Sequence, residues 1–335
     1  MNTEKLNPVF TKYKLGKLTA EPEPVEGGLI HRMWKATTSD SIYAVKQLNP
    51  LIIDKPGLPE DYICTERIAR AFAENNIPAA AALFFEDNPL IRLDDCTILI
   101  YPWIEGSILD YGTVDADKCH LIGGILGQIH ALDIKIENPP AKEYRIISIT
   151  ELQGLIDRAT AAIIPWAFEI QHDLPLLTEL INNFVSAVEP LKQNQVISHR
   201  DMDVKNIIWV NDKTPQIIDW EAAGLTNPTV DLLELALEWS GQWSGHLNGD
   251  SFQAYLSGYH SACRRRHTDF DIALMGCYAA RAGWLEFNMR RSLDEHVDDF
   301  ERIMAENQVT VTLNSISNLH SHTEKYRRWF SAIIG

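Results

Sequence analysis

The sequence predicts an α+β fold of two lobes, the first rich in β-strands and the second mainly helical. Residues 29–36 and 42–48 are short β-type runs joined by a polar stretch that suits a hairpin turn. After Pro102 the apolar side chains change to helical spacing. Residues 207–218 form a single β-like island within the helical part, and we expect the functional residues there.

The remaining elements divide the chain near residue 102. In the first lobe, residues 1–101, a helix is predicted over 60–75, and Pro78 prevents it from continuing. A strand is predicted over 97–101. Residues 102–106 form a predicted hinge. Residues 107–335 form the second lobe, with apolar helical faces near residues 121–132 and 177–188.

Composition and charge exclude several classes of function. The formal charge of −16 disfavours nucleic-acid binding, because an acidic surface repels phosphates. The five cysteines are scattered and never form a CxxC pair, which indicates neither a disulfide framework nor a zinc site. The N-terminus has no apolar signal region, and no apolar run is long enough to span a bilayer. We expect a cytoplasmic protein with no nucleic-acid or membrane partner, either a monomer or a homodimer.

The β-like island carries side chains that suit phosphoryl transfer. Pairing Val210 with Pro215 in a hairpin places Asn206 opposite Asp219, and such oxygen ligands suit Mg²⁺. Asp201, just before the island, is the predicted catalytic residue that orients an acceptor hydroxyl and takes its proton. The stretch HRDMDVKN followed by IIDWE fits the pattern His-x-Asp-x-x-x-x-Asn with a later Asp.

A lysine in the first lobe is a second candidate. Lys46 shares one face of its predicted strand with Ile42, Ala44 and Leu48, where an unpaired ammonium would be costly. Glu66, in the following helix, is the expected anionic partner, and the pair would contact phosphate oxygens.

Taken together, these residues resemble the aminoglycoside phosphotransferase and choline kinase superfamily, relatives of the protein kinases. The resemblance covers residues 27–231 and rests on the stretches EGGLIHRMW, VKQL, TERIARAFAENNIP, TILIYPWIEG and IIDWEAAGLTNPTVD. It implies a two-lobed protein-kinase-like fold and an ATP-dependent small-molecule kinase that uses Mg²⁺, with GTP as the alternative nucleotide.

The resemblance also implies where the nucleotide binds. Gly27 and Gly28 precede the first strand and form either a plain turn or backbone that approaches phosphates. The nucleobase would meet residues of the last strand, the hinge and the hairpin: Tyr101 as gatekeeper, Pro102 and Ile104 through their backbone, and Ile208 and Ile218 as the floor.

The acceptor is expected in the helical lobe, where carboxylates and tryptophans are concentrated. The candidate contacts are Glu234, Glu238, Trp239 and Trp284. Such side chains bind cations through ion pairs and cation–π contacts, but they also suit an exposed charged helix face and a tryptophan core. An aminoglycoside or aminocyclitol antibiotic is the first choice of acceptor. Choline, ethanolamine, homoserine or methylthioribose kinases are the alternatives.

Two other classes fit the sequence less well. A nucleotide-binding pseudokinase scaffold has no need of Asp201, Asn206, Asp219 and Lys46 together. A protein kinase is disfavoured because the link from Asp219 to Asp231 is too short for a phosphorylated activation loop.

Overall fold

A computed structural model describes residues 1–25 and 31–335, so the predicted glycines Gly27 and Gly28 lie outside the described residues. The described chain forms two compact units, each discontinuous in sequence. The first unit contains residues 1–110, 133–141 and 197–225. The second unit contains residues 111–132, 142–196 and 226–335.

An antiparallel sheet of five strands forms the centre of the first unit. Its strands are β1 (Glu23–Val25), β2 (Arg32–Thr37), β3 (Ile42–Gln47), β4 (Ile91–Arg92) and β5 (Thr97–Pro102). The spatial order is β1-β2-β3-β5-β4. The predicted first hairpin is confirmed over its described residues, because β2 and β3 are antiparallel neighbours with Met33 opposite Lys46. The predicted strand over residues 97–101 is confirmed as β5.

Three helices accompany this sheet: α1 (Thr3–Lys12), α2 (Pro50–Ile53) and α3 (Leu58–Glu74). One side of the sheet packs against α1, whose Leu6 and Phe10 are fully buried with Val45 and Ile100. Helix α3 confirms the helix predicted over residues 60–75. It begins two residues earlier because a proline is tolerated in the first turn of a helix.

Residues 196–226 add four short strands: β6 (Val196–Ser198), β7 (Ile207–Asn211), β8 (Thr214–Ile217) and β9 (Gly224–Thr226). The predicted hairpin is confirmed as β7–β8, but its predicted register is wrong by one residue. Trp209, not Val210, lies opposite Pro215, because a β-bulge inserts an extra residue between Trp209 and Asn211.

The corrected register changes which residues meet at the open end of the hairpin. The N–H of Ile218 donates to the carbonyl oxygen of Asn206 at 2.9 Å, so Asn206 lies opposite Ile218 rather than Asp219. The hairpin is also joined to N-terminal residues, because Ala79 bridges to Ile217 and Ser107 bridges to Trp209. Residues 197–225 therefore belong to the first unit, although the sequence placed them in a lobe beginning at residue 107.

The second unit is helical, as the sequence predicted. It contains α4 (Ala116–Ala131), α5 (Ile149–Ala161), α6 (Trp166–Leu191), α7 (Pro228–Trp239), α8 (Gly249–Ala262), α9 (Phe270–Ser292), α10 (Asp299–Ser321) and α11 (Thr323–Ile333). Helices α4 and α8 approach closely at Gly123, where an added Cβ would lie 2.1 Å from the carbonyl oxygen of Tyr255. Among the described residues, no helix combines the length and the apolar character needed to cross a membrane.

Candidate active site

The loop between β6 and β7 begins with a buried histidine that fixes its shape. His199 is fully buried, and its Nε2 lies 3.0 Å from the carbonyl oxygen of Ile218. The N–H of Asp201 donates to Nδ1 of the same ring at 3.2 Å. Because Nδ1 accepts, the neutral ring carries its proton on Nε2 and donates it to Ile218. His199 therefore joins the loop between β6 and β7 to the end of β8.

Asp201 and Asn206 are held together within this loop. The amide nitrogen of Asn206 donates to the backbone carbonyl of Asp201 at 2.8 Å and to its carboxylate at 2.9 Å. Burial raises the pKa of Asp201 to about 6, outweighing the opposing effects of Lys205 and the Asn206 hydrogen bond. Asn206 thus orients the carboxylate, and the raised pKa makes Asp201 a stronger base than an ordinary aspartate.

Lys46 is bound by two carboxylates that follow β8. Its Nζ donates to Asp219 Oδ1 at 2.7 Å and to Glu221 Oε2 at 2.9 Å. Burial disfavours the ammonium ion, but the charges of Asp219 and Glu221 outweigh burial and raise the pKa of Lys46. The inward orientation predicted for Lys46 agrees with its exposure of only 8%. Lys46 is therefore charged and positioned by these two acids.

The predicted ion pair between Lys46 and Glu66 is not the one that forms. Glu66 is buried, accepts a hydrogen bond from the Ala82 N–H at 2.8 Å, and accepts another from the Tyr101 hydroxyl. Burial raises the pKa of Glu66 despite these hydrogen bonds. Asp219 and Glu221, which are distant from Lys46 in the sequence, pair with it instead of Glu66. The role of Glu66 in nucleotide binding stays a prediction.

Sequence reasoning assigned no role to three residues around Lys46. Glu221 Oε2 lies 3.3 Å from His31 Nε2, and it accepts a hydrogen bond from the Tyr62 hydroxyl at 3.4 Å. Burial alone would raise the pKa of Glu221, but the His31 hydrogen bond and the Lys46 charge lower it to about 2. The sequence signals for Glu221 and His31 were their places in the DWE and EGGLIHRMW stretches, whereas Tyr62 lies in no such stretch.

The residues predicted to contact the nucleobase lie on β5, β7 and the segments that follow. Tyr101 is opposite Ala44 across β3 and β5, and Pro102, the last residue of β5, is exposed. Ile208 pairs with Gln216 in the hairpin, while Ile104 and Ile218 are partly buried after β5 and β8. Their contacts with a nucleobase stay predictions.

Asn206 and Asp219 have the chemistry of a divalent-cation site. Both hydrogen bonds of the Asn206 amide nitrogen go to Asp201, so its carbonyl oxygen is the atom left to bind a cation. Within residues 1–25 and 31–335, no three His, Cys, Asp or Glu side chains form a ready metal cluster. Such a cation would need phosphate oxygens of the nucleotide as further ligands, as the sequence predicted.

In the second unit, the carboxylates predicted to bind the acceptor already have cationic partners. Glu234 accepts from Lys142 at 2.7 Å, and Glu238 accepts from Arg281 at 3.1 Å. The guanidinium of Arg281 also lies 3.6 Å from the centre of the Trp243 ring. Among the described residues, Glu234 Oε1 and Trp243 Nε1 are buried without a hydrogen-bond partner. This group of five residues is called the balanced cluster below.

The two predicted tryptophans differ in position. Trp239 is 2% exposed and packs near Tyr255, so it belongs to the core of the second unit. Trp284 is 43% exposed and stacks on Phe287 with ring centres 5.4 Å apart. Of these two tryptophans, Trp284 is therefore the one whose ring is accessible to a ligand.

The model of the Phosphotransferase enzyme family (APH) matches residues 21–265. No curated protein matches the chain. A structure of spectinomycin phosphotransferase APH(9)-Ia in complex with ADP and spectinomycin matches with a TM-score of 0.70 and 13% identity, over 95% of this chain and 98% of that one.

Two further solved structures share the fold. Choline kinase LicA from Streptococcus pneumoniae has a TM-score of 0.60 and 17% identity, over 92% of this chain and 98% of its own. Amicoumacin kinase hAmiN, solved with AMP-PNP and Ca²⁺, has a TM-score of 0.64 and 11% identity, over 92% of each chain. At such identities these similarities show the fold alone, and they confirm the predicted kinase-like α+β class.

Proposed function

Because the chain belongs to the phosphotransferase enzyme family, and is an ATP-dependent small-molecule phosphotransferase, we propose that it phosphorylates a hydroxyl of a small cationic molecule. The donor is the γ-phosphoryl group of Mg·ATP. The observation that carries the proposal is the grouping of Lys46 with Asp219, and of Asp201 with Asn206, around one end of the β7–β8 hairpin. These are the side chains that phosphoryl transfer requires.

Each of these residues has a role that follows from its contacts. Asp201 accepts the proton of the acceptor hydroxyl, and Asn206 keeps the Asp201 carboxylate in one orientation. Lys46 has three N–H donors, of which Asp219 and Glu221 use two, so the third is available for a phosphate oxygen. Asn206 and Asp219 would hold Mg²⁺, which, when bound, neutralises charge on the phosphates.

Complexes of the similar structures support a nucleotide and a divalent cation as cofactors. Spectinomycin phosphotransferase was solved with ADP, and amicoumacin kinase was solved with AMP-PNP and Ca²⁺. We propose ATP and Mg²⁺ for this chain, with GTP as the alternative donor. We also propose a cytoplasmic enzyme, monomeric or homodimeric, that has no nucleic-acid or membrane partner.

For the acceptor, an aminoglycoside or aminocyclitol antibiotic is our first proposal. The acidic charge of −16 favours a cationic ligand, and the exposed face of Trp284 suits a cation–π contact. A role in antibiotic resistance would follow from this acceptor.

A metabolic kinase for an acceptor such as choline, ethanolamine, homoserine or methylthioribose is the second candidate. The balanced cluster favours it, because Lys142 and Arg281 neutralise Glu234 and Glu238 and leave no net negative charge to attract a polycation. An acceptor with a single cationic group fits these pairs better than a polycation does.

The test is Mg·ATP turnover with a panel of aminoglycosides, aminocyclitols and singly charged amino alcohols. We expect turnover of at least one acceptor and a loss of about 10³-fold in Asp201→Ala, because the general base is removed. Asp212→Asn, an exposed aspartate in the hairpin turn, is the matched control. Nucleotide binding without turnover of any acceptor would instead support the pseudokinase scaffold.

A further inference from the structure

We propose that Glu221, held by His31 and Tyr62, is the carboxylate that positions Lys46 for the nucleotide phosphates, in place of Glu66. The inference rests on the proposed function and deepens it by adding three positioning residues. The clamp consists of Glu221, His31, Tyr62 and Lys46, all within the first unit.

The geometry of the clamp converges on one oxygen atom. Glu221 Oε2 accepts from Lys46 at 2.9 Å and from the Tyr62 hydroxyl at 3.4 Å, and it lies 3.3 Å from His31 Nε2. His31 Nε2 lies 2.7 Å from the Tyr62 oxygen, so the one N–H of the ring is shared between Tyr62 and Glu221, while the Tyr62 hydroxyl donates to Glu221. A carboxylate with several donors on one oxygen loses most of its freedom to rotate.

The orientation of His31 is fixed by the backbone. The Asn49 N–H donates to His31 Nδ1 at 3.0 Å, which makes Nδ1 the acceptor of the ring. The proton of the neutral ring is then on Nε2, facing Glu221 and Tyr62. Because His31 is 5% exposed, its ring is shielded from water. His31 therefore acts as a fixed donor at the back of Glu221.

The two other candidate anchors for Lys46 have different tasks. Asp219 is the proposed cation ligand, so its carboxylate would be shared between a bound cation and Lys46. Glu66 is occupied by the Tyr101 hydroxyl and the Ala82 N–H. Glu221 is the carboxylate near Lys46 that has neither commitment, and its Oε2 accepts from Lys46 at 2.9 Å.

The experiment compares the affinities of Glu221→Gln and Glu66→Gln for ATP and for adenosine. Glu221→Gln should weaken ATP binding about tenfold or more, with adenosine binding changed less than about twofold, because Lys46 acts on phosphates and not on the base. Glu66→Gln should weaken ATP binding less. Tyr62→Phe removes one donor and should weaken ATP binding by about threefold.

A matched control separates this role from general damage to the fold. Tyr43 lies on the same strand as Lys46 but on the opposite face. Tyr43→Phe should therefore leave the affinities for ATP and for adenosine unchanged. Equal losses of ATP and adenosine binding in Glu221→Gln would show a structural defect and overturn the proposal. A larger loss in Glu66→Gln than in Glu221→Gln would overturn it as well.

Two further outcomes separate this inference from its premise. If raising Mg²⁺ tenfold restores ATP affinity to Glu221→Gln, Glu221 is a cation ligand and the positioning role fails. A wild-type protein that binds ATP but phosphorylates no acceptor overturns the proposed function, while the affinity comparison still decides the role of Glu221. A wild-type protein that binds no ATP overturns both.

Discussion

The charged groups of the two units differ in their balance of carboxylates and cations. In the first unit, Asp219 and Glu221 share the single ammonium of Lys46. In the second unit, Glu234 pairs with Lys142 and Glu238 pairs with Arg281, one cation for each carboxylate. An excess of carboxylates favours the binding of a further cation, whereas balanced pairs do not. The difference is consistent with the proposed cation site in the first unit, whereas the pairs of the second unit leave little net charge for a further cation.

The largest expected effect comes from removing one carboxylate charge from the first group. Asp219→Asn should lower turnover by about 10²–10³-fold, because a charge that holds the proposed cation is lost. The rise in melting temperature produced by Mg·ATP in the wild type should largely disappear, which thermal denaturation measures. Asp212→Asn, at the other end of the same hairpin, should retain both properties. If turnover by Asp219→Asn still depended on Mg²⁺ as in the wild type, the proposed difference between the carboxylates of the first unit and those of the second would be contradicted.

A smaller effect is expected from breaking a pair in the balanced cluster. Lys142→Met should cost about 2 kcal/mol in the free energy of unfolding, because Glu234 remains largely buried without a cation. The double variant with Glu234→Gln should recover part of this loss. Lys192→Met breaks an exposed pair with Glu189 and should cost below about 0.5 kcal/mol. Denaturant titration measures all three. Equal costs at the buried and exposed pairs would contradict the comparison.

The smallest expected effect concerns Glu66, the buried carboxylate that Tyr101 contacts. Tyr101→Phe should cost about 1 kcal/mol at pH 7.5, because the hydroxyl no longer offsets the burial of the Glu66 carboxylate. The pKa of Glu66 is higher in the folded protein than in the unfolded protein. The free energy of unfolding therefore falls as pH rises above the unfolded-state pKa, because Glu66 ionises more readily in the unfolded protein. Without the Tyr101 hydroxyl this fall should be larger.

The stability difference between Tyr101→Phe and the wild type should therefore shrink near pH 4, where Glu66 is mostly protonated in the folded and in the unfolded protein. Denaturant titration at both pH values measures it, with Tyr43→Phe as the control. A difference that does not change with pH would mean that Glu66 is uncharged at neutral pH in the folded protein.

Local sequence patterns predicted most of the elements that build the site. The β2–β3 hairpin, α3 and β5 follow from alternation, helical spacing and proline positions, which are properties of neighbouring residues. The β7–β8 hairpin was also predicted, but its register was not. Whether Val210 is paired or bulged depends on the packing of the hairpin, which the turn residues do not encode.

The partners of the charged residues could not be predicted in the same way. Lys46 is 173 residues from Asp219 and 175 from Glu221 along the chain, whereas Glu66 was the nearest suitable acid in an adjacent element. Lys142 is likewise 92 residues from Glu234. Contacts between residues so far apart in the chain depend on the whole fold. The charged residues could therefore be identified from the sequence, but their pairing could not.

The backbone of Asp219 limits which residues can occupy that position. Its φ of 62° and ψ of 60° lie in the left-handed region, which aspartate, asparagine and glycine tolerate but β-branched side chains do not. Two requirements therefore apply to this position: a carboxylate for the proposed cation, and a residue that tolerates a left-handed backbone. A relative that has lost phosphotransfer should keep asparagine or glycine here, so its sequence would still show the shape of the lost site.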